Sequence, residues 1–285
     1  MSSSSFRPRP LLSSDELLHR LRTGFPAAEV EGAMTAAGVE VLGLRVPREQ
    51  AGVVWEEWRA RHDETGWWPY VTLGSPTDMA DGRGELGWDA DVLEWVGEAV
   101  AQDHDARAAS VLVSACRWAV EEVANVDDDL DLWRSDYDPD RLAPLLAPAV
   151  ERPLPGVSQW ATGTRDFFEK DWRWVHFVAA RGGYEVPVLL PFVYTTWNWS
   201  GYGDRGLTPL DASAILRRWH EQWGAELFFA TGPYLELVVD RPPLDPRGAA
   251  QAAAELHAYC HDTVQDPVKT GDTMARATMW SLWWD

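Results

Sequence analysis

Two tryptophans, an asparagine and a tyrosine stand among glycines in the run Thr195-Thr196-Trp197-Asn198-Trp199-Ser200-Gly201-Tyr202-Gly203-Asp204. Such a loop is poor core filling. Its Trp197, Asn198, Trp199 and Tyr202 suit stacking on, and hydrogen bonding to, a partner. The competing reading is a lid whose rings fold back over a sheet. The closing residues Trp283, Trp284 and Asp285 pose the same question. Neighbouring side chains of an extended segment point to opposite sides, so one ring can anchor in the core while the other stays available.

Other constellations carry less. His257 and His261 are four apart on an expected helix, the spacing of a helical metal pair, but no HExxH pattern surrounds them. Cys116 and Cys260 are too far apart to form a CxxC pair, and each reads as a small buried thiol. The acidic run Asp127–Asp140 supplies hard oxygen ligands, yet Leu132 stands where a calcium loop needs Gly, so it reads as solvated. No GxSxG turn, GxGxxG run or P-loop is present, and no metal or cofactor is indicated.

The elements that must position these residues follow from periodicity and caps. A capping box at Ser13-Ser14-Asp15-Glu16 opens a short helix. Val39–Val46 reads as a largely buried strand. Pro47 then starts a helix with Ala51, Val54, Trp55, Trp58 and His62 on one face, and Trp67–Leu73 is the next strand. Helices are expected over 89–102 and 105–124, with Trp95 and Trp118 on their apolar faces. The acidic, Pro-rich stretch 127–164 promises little beyond a turn or two around Leu142–Ala149.

Trp172–Ala180 and Glu185–Tyr194 read as strands, the second demoted to an edge by Pro187 and Pro191. Thr208-Pro209-Leu210-Asp211 caps a helix that buries Ile215, Leu216, Trp219 and Trp223. Thr231-Gly232-Pro233 turns a hairpin, and Asp245-Pro246 caps a helix bearing Ala249, Ala253, Leu256 and Cys260. The fold class is therefore mixed α/β (α+β): a mixed sheet covered by helices, with an N-terminal strand–helix–strand unit packed on a C-terminal domain. The expected organisation is a polar tail over 1–12, an α/β region over 13–126, a connection over 127–164 and a C-terminal domain over 165–285.

The formal charge of −20 repels nucleic acid and anionic membrane and favours a cationic partner. No apolar run approaches the length of a membrane span, and the N-terminal residues lack the apolar stretch of a signal peptide. Lys170 and Lys269 are the only lysines and Ile215 the only isoleucine, a bias that fits a GC-rich genome. A bacterial cytoplasm is the expected compartment.

Several C-terminal segments carry a family resemblance. They are Val186-Pro187-Val188-Leu189-Leu190-Pro191 with Thr196-Trp197-Asn198, the run Leu216–Leu227, Leu235-Glu236-Leu237 with Arg241-Pro242-Pro243, Ala258-Tyr259-Cys260, and Trp280 to Asp285. In that order they resemble the bacterial family known as domain of unknown function 4253. His261 departs from it, standing where the family has Pro. The resemblance implies a shared C-terminal fold and no established activity. It draws attention to Trp197, Asn198, Trp219, Tyr259, Asp262, Trp283, Trp284 and Asp285.

Two functions follow as expectations. The first is a non-enzymatic interaction module, in one form immunity-like, that meets a basic protein partner with aromatic anchors on an acidic surface. The second is a small-molecule-binding protein or enzyme with a Trp-lined pocket, in which Asn198 and a carboxylate such as Glu226, Glu236 or Asp262 make polar contacts.

Overall fold

The computed structural model describes residues 11–81, 92–113, 139–152, 171–191, 207–264 and 266–284. Cys116, the acidic residues 127–138, the aromatic loop 195–204 and Asp285 lie outside them, as do the side chains of Trp95 and Trp118.

Among the described residues seven strands form one sheet: β1 Val30–Met34, β2 Glu40–Pro47, β3 Trp67–Thr72, β4 Trp172–Ala179, β5 Ala225–Thr231, β6 Tyr234–Val239 and β7 Met279–Trp283. Their spatial order is β1-β2-β4-β3-β5-β6-β7. All neighbours are antiparallel except β3 and β5. The strand–helix–strand unit at 39–73 is present, but β4 pairs with both of its strands and lies between them. Strands from the two expected regions thus interleave in one sheet.

The two-residue alternation of the strands divides the core into two layers. Leu42, Leu44, Val175, Phe177 and Phe229 face helices α1 (Ser14–Gly24) and α2 (Ala51–Ala60), which bury Leu17, Leu21, Trp55 and Trp58 against them. Two of the buried indoles on this side have partners: Trp55 Nε1 donates to the Pro69 carbonyl at 2.9 Å, and Trp67 Nε1 to that of Leu12 at 2.8 Å. On the other face Val41, Trp68, Val178 and Leu237 meet a second set of helices. These are α3 (Val92–Ala101), a helical stretch over 104–113, α4 (Pro139–Val150), α5 (Pro209–Trp223) and α6 (Pro246–Tyr259).

Local signals explain the best-placed elements. Thr208 accepts from the Asp211 N–H while the Asp211 side chain accepts from the Thr208 N–H, a reciprocal cap that starts α5 where Pro209 needs no amide partner. Gly224, at φ +64°, ends the same helix, and a Cβ there would sit 3.0 Å from the Asp240 side chain.

Two expectations are corrected. Glu185–Tyr194 is not a strand where it is described. Gly183–Glu185 is a 3₁₀ turn and Val186–Leu189 a single helical turn, with Pro187 in the position that tolerates it. The run Val186–Leu190 is buried throughout, and a short continuous apolar run cannot distinguish helix from strand by periodicity. Pro139–Val150 is a full helix despite Pro144 and Pro148. Leu142, Leu146 and Ala149 make a buried stripe at helical spacing, and that burial outweighs the cost of the two prolines, which stay on the exposed side.

Candidate functional site

The C-terminal pair resolves as its alternation requires. Trp284 is core: it is 1% exposed, its ring stands edge-on to Tyr259 at 5.4 Å, and its Nε1 donates to the Tyr259 carbonyl at 3.3 Å. Trp284 is therefore corrected from candidate contact to packing. Trp283 points the other way, is half-buried, and lies 6.3 Å from the Tyr234 ring on the neighbouring strand. Its backbone is held by the turn after α6. The Trp283 N–H donates to Thr263 Oγ1 at 2.7 Å, and its carbonyl accepts from Cys260 Sγ at 3.0 Å and Thr263 Oγ1 at 2.9 Å.

That turn absorbs the other C-terminal candidates. Burial pushes the Cys260 thiol up to about 11, so it is neutral and shielded. We expect it to remain unmodified by Ellman's reagent at pH 8 in the folded chain and to react once the chain is unfolded. Rapid modification of the native chain at Cys260 would contradict its placement. His257 is also buried, its Nδ1 donates to the Val264 carbonyl, and burial lowers its pKa to about 4. His261 pairs instead with Asp262 at 3.3 Å. The helical metal pair is therefore not assembled. Among the described residues no group of three or more His, Cys, Asp or Glu side chains is placed to hold a metal ion.

The strand register defines a surface that includes Trp283. β3 and β5, the parallel pair, end at Thr72 and Thr231. At this same end of the sheet β2 finishes, β4 begins, the β5–β6 hairpin turns and β7 finishes. Carboxyl ends of parallel strands, where a chain must change direction across the sheet, are the usual place for ligand contacts in α/β sheets. Here Pro47 pairs with Trp172, and Tyr234 with both Thr231 and Trp283. Three partly exposed aromatic side chains, Trp172, Tyr234 and Trp283, thus stand along one end of the sheet.

Beside Trp172 is an open groove of about 730 Å³, lined by Glu29, Arg45, Arg48, Glu49, Asp171 and Trp172 among others. Arg45 bridges it: its guanidinium lies 4.0 Å above the Trp172 ring and pairs with Glu29 at 2.8 Å. That arrangement combines a cation over an aromatic face with a charge-assisted hydrogen bond. The floor is fixed by the backbone, because the Arg48 N–H donates to the Asp171 carbonyl at 2.9 Å. Behind it Arg173 is 2% exposed and donates to the Trp172 carbonyl at 2.8 Å. Burial lowers the Arg173 pKa, Arg48 adds to that, and Glu236 from β6 opposes it.

Of the carboxylates proposed for polar contacts, Glu236 is buried on this side of the sheet, with Ser281 Oγ 3.5 Å away. Glu226 is at the opposite end, and burial raises its pKa against the opposing effect of Arg59. Trp172, Tyr234 and the groove residues are not among the contacts expected from sequence. One signal was available: Arg45 interrupts the apolar run Val41–Val46.

Residues 175–285 match the model of the family described as Domain of unknown function (DUF4253), the family that the C-terminal segments resemble. Glu236, Cys260, Trp283 and Trp284 fall inside the match, whereas the groove residues precede it. No curated protein and no solved structure matches the chain.

Proposed function

Because the matched family brings no activity with it, we propose from the geometry that this chain is a non-enzymatic protein-interaction module whose partner presents a basic segment to the sheet end at Trp172. The observation that carries the proposal is the groove, whose lining sets three carboxylates, Glu29, Glu49 and Asp171, and two guanidiniums, Arg45 and Arg48, beside a partly exposed indole. The chain's charge of −20 would speed encounter with a basic partner and repel acidic ones. Trp172, Tyr234 and Trp283 would act as anchors, since aromatic side chains dominate the energy of such contacts. Arg45 already shows the chemistry inside the molecule, with a guanidinium on the Trp172 face and a carboxylate beside it.

Trp197, Asn198, Trp199, Tyr202 and Asp285 enter the proposal as further candidate contacts, to be judged by substitution. Toxin neutralisation in a bacterial cytoplasm is one form the function takes, by analogy alone. Titration of the chain with Arg- and Lys-rich peptides, followed by tryptophan fluorescence, tests the proposal. We expect binding that weakens with salt and falls about 30-fold in Trp172→Ala, the loss of a single aromatic anchor. Equal affinity for acidic and basic peptides would overturn it.

A second reading rests on the groove's size, which falls within the range of small-molecule sites. Stabilisation of the chain by a metabolite in a thermal-shift screen, lost in Trp172→Ala, would favour that reading over a peptide partner.

A further inference from the structure

The two edge strands of the sheet are β1 and β7, and their outer edges differ. β7 is closed at Trp283, whose N–H and carbonyl bond to the turn after α6. The ladder between β1 and β2 is fixed at both ends. The Arg45 N–H donates to the Glu29 carbonyl at 2.9 Å, and the Thr35 N–H to the Val39 carbonyl at 2.8 Å. Bonded residues alternate along an antiparallel pair, so Glu29, Glu31, Ala33 and Thr35 direct their backbone groups at β2. Val30, Gly32 and Met34 direct theirs outward, and no hydrogen bond reaches those groups among the described residues. Edges are normally guarded by Lys, Pro or a bulge. β1, reading Val-Glu-Gly-Ala-Met, has none of these and pairs with β2 in unbroken register.

The two faces beside this edge carry different chemistry. On the α1 side lie the partly buried Leu18 and Val30, together with Met34, which is 57% exposed. Leu18 reaches over Gly32, where a Cβ would stand 3.8 Å from its Cδ1. On the other side stand Glu29, with 55% of its side chain exposed, and Glu31, which accepts from Thr77 on the short helix Pro76–Asp81. The edge is continuous with the groove, because Ala27, Ala28 and Glu29 line the groove and lead directly into β1. A chain laid antiparallel along β1 would pass Met34 first, leave the strand at Val30 and enter the groove.

Taking the groove as the binding surface, on which this inference rests, we propose that the partner's basic segment adds to β1 as an antiparallel strand. Its Lys or Arg residues stand on the Glu29 and Glu31 side and alternate with apolar residues over Leu18, Val30 and Met34. Backbone bonds to Val30, Gly32 and Met34 supply affinity, and the alternating side chains supply selectivity. Facing residues of an antiparallel pair share a face, so the apolar residues are the ones whose amides meet β1. Charge selects this occupant over a second copy, since two chains of −20 repel and each would bring its own glutamates to the edge. Antiparallel addition also continues the pattern of β1, β2 and β4.

The test titrates the full chain with an eight-residue peptide of alternating Lys and Val, followed by calorimetry. N-methylation of the Val amides should weaken binding about 30-fold or more, and N-methylation of the Lys amides less than about threefold. On binding, exchange should slow at the Val30, Gly32 and Met34 amides. It should not change over 220–226, the corner where α5 passes into β5 four strands away. An absent or reversed preference between the methylated peptides would overturn the strand addition; if binding were still lost in Trp172→Ala, the groove reading would stand without it. A clear preference with undiminished binding in Trp172→Ala would overturn the groove reading and keep the added strand. Self-association of the chain that vanishes in Met34→Pro, which removes an outward donor and no bond to β2, would assign the edge to a second copy and overturn the proposal.

Discussion

Replacing Trp219 by alanine is expected to destabilise the chain by about 3–5 kcal/mol, the range for removing a large aromatic from a core. Trp219 is fully buried on α5, and its ring meets Tyr259 edge-on at 5.1 Å and Trp280 at 5.4 Å. Its Nε1 donates to Glu255 Oε2 at 2.9 Å. That carboxylate also accepts from Arg218 Nη2 and Gln251 Nε2, each at 3.0 Å, and Arg218 in turn pairs with Asp105 at 3.0 Å. Alanine leaves a cavity and removes one donor from a nearly buried carboxylate. Phenylalanine keeps most of the ring packing and removes only the donor, so Trp219→Phe should cost about 1–3 kcal/mol. Denaturant unfolding with an unchanged m-value separates the two. A loss below 1 kcal/mol in Trp219→Ala would show that the family-matched tryptophans do not form the core described here.

Acidification is the second large effect. Burial lowers His176 to about 3 and His257 to about 4, against 6.5 for the ordinary side chain. His176 lies under the sheet's second face, with Nδ1 3.0 Å from the Tyr70 hydroxyl. Between those folded-state values and 6.5 the unfolded chain binds protons that the folded chain does not, so stability rises with pH. The contribution is complete above about 6.5 and is lost as pH falls towards 4 and then 3. The upper limits are roughly 5 kcal/mol for His176 and 3 kcal/mol for His257, at about 1.4 kcal/mol per unit. Glu226 acts in the opposite sense, because a raised carboxylate pKa favours the folded chain at low pH. Urea unfolding at pH 6.5 and 4.5 should show a loss of several kcal/mol, about half of it absent in His176→Gln. Parallel pH dependence in the two proteins would contradict a buried, neutral His176.

Where a local rule decides the structure, the sequence was enough. The Thr208–Asp211 cap, the turn at Gly232 and the Asp245 cap all stand as expected. Long-range arrangement was not legible. Sequential strands usually lie side by side, yet β4 separates β2 from β3, and no residue in those strands marks the insertion. β1 was missed because an edge strand buries little, and its residues Val30 to Met34 carry weak alternation. The groove joins residues near 28, 47 and 171, so no window of sequence contains it. The Trp283–Trp284 alternation was readable because it depends on strand geometry alone. Trp172 was not singled out, since beside Trp174 it reads as one more residue of an apolar strand.

The central claim is that the sheet end at Trp172 is the binding surface, and amide hydrogen exchange with and without a bound basic peptide tests it most directly. The account predicts slowed exchange over residues 27–29, 45–49 and 171–172 and at the hairpin 231–234, with little change at the 220–226 corner. Protection confined to the corner, or spread evenly over the chain, would contradict it.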